Sequence, residues 1–320
     1  MVKMTQYTPT FAGIDVSKAH PDVYLHPAGL HRRFSNGKTG WRALRGWLAD
    51  AHPDGVVYEA TGSYHKGVER YLGERGFAIA RLDPRRARRF AEALGVNAKT
   101  DPVDARVLAE FGAFLKPATR PLPEPALEQL KELVVARRGL VQQNTRIANR
   151  SKTVTSPLLK RQFQQSARQV KQQIAGIDTE CRDIVGADPA LAQRLAILIS
   201  IPAIGDVTAM TLLADMPELG LLNDKQVASL MGVAPIARDS GTFRGRRHIR
   251  GGRAQVRQDV YMAALVATRF NADMKQKYQT LIENGKPPKV ALTAIMRKLI
   301  ILANALIKDN RLWAEIRPCK

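Results

Sequence analysis

Cysteine is nearly absent from this chain of 320 residues: Cys181 and Cys319 are the only two, and they lie far apart. That excludes a zinc ribbon built from cysteines and gives no reason to expect disulfides. Acid is scarce as well, with 29 Asp plus Glu against 50 Lys plus Arg and a net charge of +21. An imbalance of this size favours a polyanionic partner, because each neutralised phosphate releases condensed counterions. By eye no apolar run approaches the roughly 18–20 residues needed to cross a bilayer, so no membrane is expected. The opening MVKMTQYTPT lacks the apolar core of a signal peptide. Together these absences point to a cytoplasmic protein that meets nucleic acid.

What is present falls into three stretches. Residues 1–122 alternate strand-like and helix-like segments. Phe11–Ile14 leads into Asp15, Asp22–Leu25 alternates as a second strand should, and His31–Phe34 supplies a third. A helix over Gly40–Ala51, a strand over Gly55–Glu59, a helix over Tyr64–Arg75, a strand over Phe77–Leu82 and a basic helix after Pro84 follow. Three early strands and then alternating helices and strands predict an α/β layer with a mixed sheet. Pro117, Pro121, Pro123 and Pro125 mark a stiff linker into residues 123–185, a helical segment. There Leu127, Val134, Val141 and Ala148 recur every seven residues beside a row of Leu133, Leu140 and Ile147, which fits a hairpin or a short coiled coil. Between 131 and 175 stand ten Lys/Arg and one acid, Glu132, a surface suited to nucleic acid or simply to water. Residues 186–320 read as mostly α-helical. Within them Ile201–Asp206 breaks two helices, and Gly205 presents backbone N–H groups suited to phosphate.

Four acids of the first stretch stand where strands and a helix begin or end. Asp15 closes one strand and Glu59 another, while Asp101 and Asp104, three apart in KTDPVDAR, share a helix face. Gathered into one pocket, four carboxylates repel and need cations. An all-oxygen set selects Mg²⁺ or Mn²⁺, and two such ions assist phosphodiester chemistry. Each acid also has an ordinary role open to it: Asp101 as a helix N-cap before Pro102, Asp104 at the positive helix end, Glu59 in an ion pair and Asp15 in a turn.

The stretch GVAPIARDSGTFRGRRHIRGGR, residues 232–253, places Ser240 between Asp239 and Gly241 amid Arg238, Arg244, Arg246, Arg247, Arg250 and Arg253. Guanidiniums are forked, permanent cations suited to phosphate oxygens, so the serine is presented to a nucleic-acid backbone. Asp-Ser-Gly alone is ordinary turn chemistry.

GIDVSKAH, YEATGSY, NAKTDPVDA and the Ser240 segment, in this order, resemble the DEDD-type insertion-sequence transposases, the bridge-RNA-guided recombinase family that also includes pilin-gene invertases. The resemblance implies an RNase H-like (Holliday-junction-resolvase-like) domain, a coiled-coil segment and a serine-bearing C-terminal domain. Carried over, it makes Asp15, Glu59, Asp101 and Asp104 the metal-binding catalytic acids and Ser240 the nucleophile. Arg244, Arg246, Arg247, Arg250, Arg253 and Gly205 are the expected nucleic-acid contacts. The expected partners are DNA, a noncoding guide RNA and further copies of the chain, in a dimer or tetramer with composite active sites. Pro21 is a local departure, standing where the family usually has an apolar residue. The rival readings are a metal-dependent hydrolytic nuclease or junction resolvase, a site-specific DNA invertase, and a basic binding protein without catalysis.

Overall fold

A computed structural model describes residues 9–59, 62–96, 100–119 and 121–313. The first eight residues, Ala60 and Thr61 of YEATGSY, Asn97–Lys99 of NAKTDPVDA, and Cys319 lie outside them. The chain divides into two compact units, Met1–Pro123 and Glu124–Lys320.

The first unit is a mixed α/β layer. Its elements are β1 (Phe11–Val16), β2 (Pro21–His26), β3 (Leu30–Arg33), α1 (Lys38–Ala51), β4 (Gly55–Glu59), α2 (Lys66–Gly73), β5 (Ile79–Leu82), α3 (Pro84–Ala93) and α4 (Asp101–Leu115). The strands form one sheet in the order β3-β2-β1-β4-β5. The first three pair antiparallel, whereas β4 and β5 run parallel to β1. Pro21 stands at the start of β2 opposite Val16, where its missing N–H is tolerated.

Period-two alternation sorts the strand side chains onto two faces. Ala12, Ile14, Val16, Val56 and Tyr58 join Leu44 and Leu48 of α1 and Val68 and Leu72 of α2. Phe11, Val57, Ala80 and Leu82 join Ala87 of α3 and Leu108 and Phe111 of α4. Gly13 faces this second side. A Cβ there would stand 2.0 Å from the Ala105 carbonyl oxygen and 2.3 Å from the Ala109 nitrogen. The missing side chain lets α4 lie directly on β1.

The second unit is helical apart from one ribbon. It comprises α5 (Pro125–Ser151), α6 (Pro157–Ala187), α7 (Pro189–Ser200), α8 (Asp206–Asp215), α9 (Asp224–Met231), β6 (Pro235–Ile236), β7 (Asp239–Ser240), β8 (Phe243–Arg244), β9 (His248–Ile249), α10 (Ala254–Phe270), α11 (Ala272–Glu283) and α12 (Pro288–Lys308). α5 and α6 pack along each other as a hairpin, tied by Arg137 to Asp178. Leu130, Val134, Cys181 and Val185 at its base belong to the same core as α7–α12. Farther out Val141 is exposed, so that heptad row is buried only near the base. One expectation from the sequence is corrected here: α12 is long and apolar enough to cross a membrane by length and composition. Its Ile295, Met296, Leu299, Ile300, Ala303 and Leu306 are instead buried in the unit's core, and that burial accounts for the apolar run.

Candidate active site

The sheet register sets side by side the acids that the sequence scatters. Asp15 pairs with Asp22, Asp22 with Arg33, and Glu59 with Leu82. The parallel pairing of Ile14 with Tyr58 puts Asp15 beside Glu59 one step further along. Alternation directs Asp15 and Glu59 to the face of Phe11 and Val57, the one covered by α4. Leu82, Glu59, Asp15, Asp22 and Arg33 thus form one lateral row across all five strands. Onto this row the first turn of α4 delivers Asp101 and Asp104. The helix N-cap is Thr100, without a side-chain capping bond, and Asp101 is the first helical residue. Asp101 is therefore not the N-cap that its place before Pro102 suggested.

Electrostatics report the gathering. The Asp15 carboxyl is pushed up to about 6, first by burial and then by the negative charge of Asp104, Asp101, Glu59 and Asp22 in that order. Like charges crowded in a poorly solvated place disfavour ionisation. Among the described residues no group of three or more His, Cys, Asp or Glu side chains is drawn together closely enough to hold a metal ion as it stands.

Three further residues at this site escaped the sequence reading. Asp22 is buried, only 1 % exposed, and accepts hydrogen bonds from Arg33 Nε at 3.1 and 3.0 Å. His31 Nε2 lies 3.0 Å from Asp22 Oδ1. Arg33 Nη2 reaches Asp101 as well, at 3.4 Å. A guanidinium at the end of the row therefore bridges a strand acid to a helix acid. The only signal was the strand alternation that puts Asp22 level with Asp15.

Ser240 lies in the second unit. β7 and β8 form a minimal hairpin in which Ser240 pairs with Phe243, and Gly241 at φ +55 allows the turn. The hairpin is exposed throughout, and the Ser240 hydroxyl makes no hydrogen bond among the described residues. β6 and β9 pair beneath it. Two contacts pin the base of this ribbon. At Gly252 (φ +65) a Cβ would stand 2.3 Å from the nitrogen of Gly232, the C-cap of α9, so the two ends of the ribbon meet only on glycine. Arg253 donates from both terminal nitrogens to Glu218 at 2.6 Å.

The expected nucleic-acid contacts therefore divide. Arg253 is half-buried in its fork-to-fork pair with Glu218, and acts as a clamp on the ribbon. Arg244 is exposed and stands 3.7 Å from Asp239. Arg246, Arg247 and Arg250 are exposed, with no carboxylate partner among the described residues. Gly205 is the N-cap of α8 at φ −91, with open space above its Cα. The left-handed residue of that loop is Ala203, at φ +86.

Comparison with known proteins adds the family. A model for DEDD-type IS110 transposases, described as "Transposase", matches residues 12–163. A second, described as "Transposase IS116/IS110/IS902 family", matches residues 195–279. The pilin gene-inverting proteins of Moraxella bovis and Moraxella lacunata are each 27% identical over 319 residues, covering 94% of this chain and 97% of theirs. An insertion element IS110 uncharacterized 43.6 kDa protein of Streptomyces coelicolor is 26% identical over 124 residues, 38% of this chain and 31% of its own. The first match spans the carboxylate row and the second the serine ribbon. The chain belongs to the IS110 family of transposases, which are DNA transposase/recombinase enzymes.

Proposed function

We propose that the carboxylate row and Ser240 serve one phosphoryl-transfer reaction, in which this protein cuts and rejoins DNA to excise and insert an element. The observation that carries the reading is the register that sets Glu59 beside Asp15 under the first turn of α4 with Asp101 and Asp104; burial first, and then the charge of Asp104, Asp101, Glu59 and Asp22, raises the Asp15 carboxyl to about 6. Acids crowded in a poorly solvated place disfavour ionisation and favour a cationic ligand. The strand order, with the ends of β1 and β4 adjacent and α4 beside them, supports an RNase H-like first unit.

Ser240 Oγ attacks a backbone phosphorus, and its O–P bond replaces the scissile P–O bond. The serine proton passes to solvent, and the departing deoxyribose oxygen takes one up. A strand hydroxyl then attacks the serine phosphodiester, which restores the DNA bond and the serine. Arg246, Arg247 and Arg250 hold phosphate oxygens and offset charge as it develops. Asp15, Glu59, Asp101 and Asp104 are the oxygen donors that would hold Mg²⁺ or Mn²⁺ after closing in from where they stand in this structure. When bound, such an ion supplies Lewis-acid neutralisation of the phosphate. Choice of sequence rests with a noncoding guide RNA that pairs with DNA, while the protein, working in the cytoplasm, reads backbone and shape. Protomers pair so that the acids of one serve the serine of its partner.

Inversion is the second reading, favoured by the near full-length likeness to the pilin gene-inverting proteins. It uses the same chemistry on differently arranged sites.

The test is Ser240→Ala. Cleavage and the covalent protein–DNA adduct, read on denaturing gels, are expected to fall at least about 10³-fold while DNA affinity holds. Cleavage that persists without an adduct would leave a hydrolytic nuclease and overturn the serine mechanism.

A further inference from the structure

α3 carries a feature that neither the carboxylates nor Ser240 explains. Its sequence PRRARRFAEA, Pro84–Ala93, places Arg85, Arg86, Arg88 and Arg89 within ten residues. The helix forms for local reasons: the Asp83 side chain accepts a hydrogen bond from the Arg85 N–H at 2.9 Å, and Pro84 occupies the first turn. Ala87 and Ala91 are buried and Phe90 is partly so, packed edge-on against Phe111 of α4 at 5.2 Å. That fixes the helix about its axis. With one stripe held on the core, helical spacing turns Arg85, Arg88 and Arg89 outward and Arg86 to the side. All four are exposed. Arg88 pairs with Glu92 at 3.2 Å, and Arg86 lies over the Phe111 ring. Among the described residues no carboxylate pairs with Arg85, Arg86 or Arg89.

Where this helix begins matters more than its charge. β5 ends at Leu82, which pairs with Glu59, and α3 starts two residues later. Neighbouring strands lie about 4.8 Å apart, so the arginine helix rises from the same sheet edge as the carboxylate row. It also packs on the same face as α4. A set of acids therefore stands beside a set of unpaired guanidiniums. A ten-residue helix is about 15 Å long, the axial length over which one DNA strand presents about four phosphates.

We propose that α3 is a backbone clamp: Arg85, Arg86 and Arg89 hold consecutive phosphates of the DNA strand whose scissile phosphate sits at the carboxylate row. This rests on the proposed function of that row. The helix reads no bases, since guanidiniums against phosphates position a strand without specifying its sequence. These are positioning residues, felt in strand binding rather than in the chemical step.

The test compares the wild-type chain with Arg85→Ala/Arg86→Ala/Arg89→Ala and with the triple Arg→Lys variant. Affinity for a fluorescein-labelled mixed-sequence DNA duplex, and for the RNA duplex of the same sequence, is followed by anisotropy across a salt titration. The Ala triple is expected to lose about 2.7 units of the log–log salt slope on DNA, near 0.9 for each phosphate released. In cleavage it raises KM at least tenfold and leaves kcat within about twofold, whereas the Lys triple keeps the slope through its point charges. Circular dichroism confirms that the fold is retained. An unchanged slope and KM would overturn the clamp, as would a collapse of kcat at unchanged affinity, a Lys triple behaving like the Ala triple, or a slope lost on RNA alone. Failure of the functional reading looks different: the wild-type chain itself then forms no adduct through Ser240.

Discussion

Asp15 is a side chain whose ionised form its own surroundings disfavour. Its carboxyl is raised from 3.8 to about 6 by burial and by Asp104, Asp101, Glu59 and Asp22. In metal-free protein this group is therefore protonated more readily folded than unfolded. Its favourable contribution is complete below pH about 4 and is lost as pH rises through about 6. Asp15→Asn removes the ionisation. In EDTA at pH 8 the variant should be about 1–2 kcal/mol more stable than wild type, a shift discounted for solvent screening, and nearly equal to it at pH 4. Thermal melting at the two pH values measures the difference, and DNA cleavage by the variant should be lost. A variant that melts below wild type at pH 8 would show that Asp15 is stabilised by its neighbours. The four acids were legible in the sequence because each closes a strand or opens a helix. Asp22 and Arg33 were not, because an Asp in one strand and an Arg in the next carry no motif, and their pairing with one another is set only by the β2–β3 register. The pairing of Arg253 was hidden for the opposite reason: it sits in an arginine run, and its partner Glu218 lies 35 positions away.

At the scale of elements, pattern served well wherever burial was one-sided. The strand over Gly55–Glu59, the basic helix after Pro84 and the helical segment that follows the proline-rich linker stand where the alternation and the prolines put them. The ribbon β6–β9 was missed, since two-residue strands exposed on both sides leave no hydrophobic period. What the sequence hides most completely is close approach. Nothing in FAGIDV announces that Gly13 is the plane on which α4 rests, yet a Cβ there falls 2.0 Å from the Ala105 carbonyl. Gly13→Ala must lift α4 from β1, and with it Asp101 and Asp104 from Asp15. The expected cost is about 2–3 kcal/mol of stability, with at least a tenfold loss of cleavage under conditions where the variant remains folded. Urea unfolding and single-turnover cleavage measure the two effects. Full activity at full stability would mean that some other contact sets the height of α4.

The whole molecule poses a question of assembly. The acids belong to the unit Met1–Pro123 and the serine to Glu124–Lys320, and a proline-rich join separates them. A long α5–α6 hairpin follows that join, with a heptad row in which Val141 is exposed. An apolar row buried only near its base suits pairing with another helix, and pairing of two copies is the arrangement in which the proposed composite site can form. Mixing two dead proteins, Asp104→Ala and Ser240→Ala, distinguishes this arrangement from sites closed within each chain. Where sites form between protomers, each mixed dimer holds one site with intact acids and an intact serine, and a second lacking both. Single-strand cleavage and its covalent adduct then return to about a quarter of the wild-type level in an equal mixture, since half of randomly paired dimers are mixed and each has one working site of two. Where sites form within a chain, every site keeps one lesion and the mixture stays dead. Differently tagged chains, co-purified before the assay, establish that mixed dimers are present. Silence from such a preparation would place the acids and the serine of each site in the same chain.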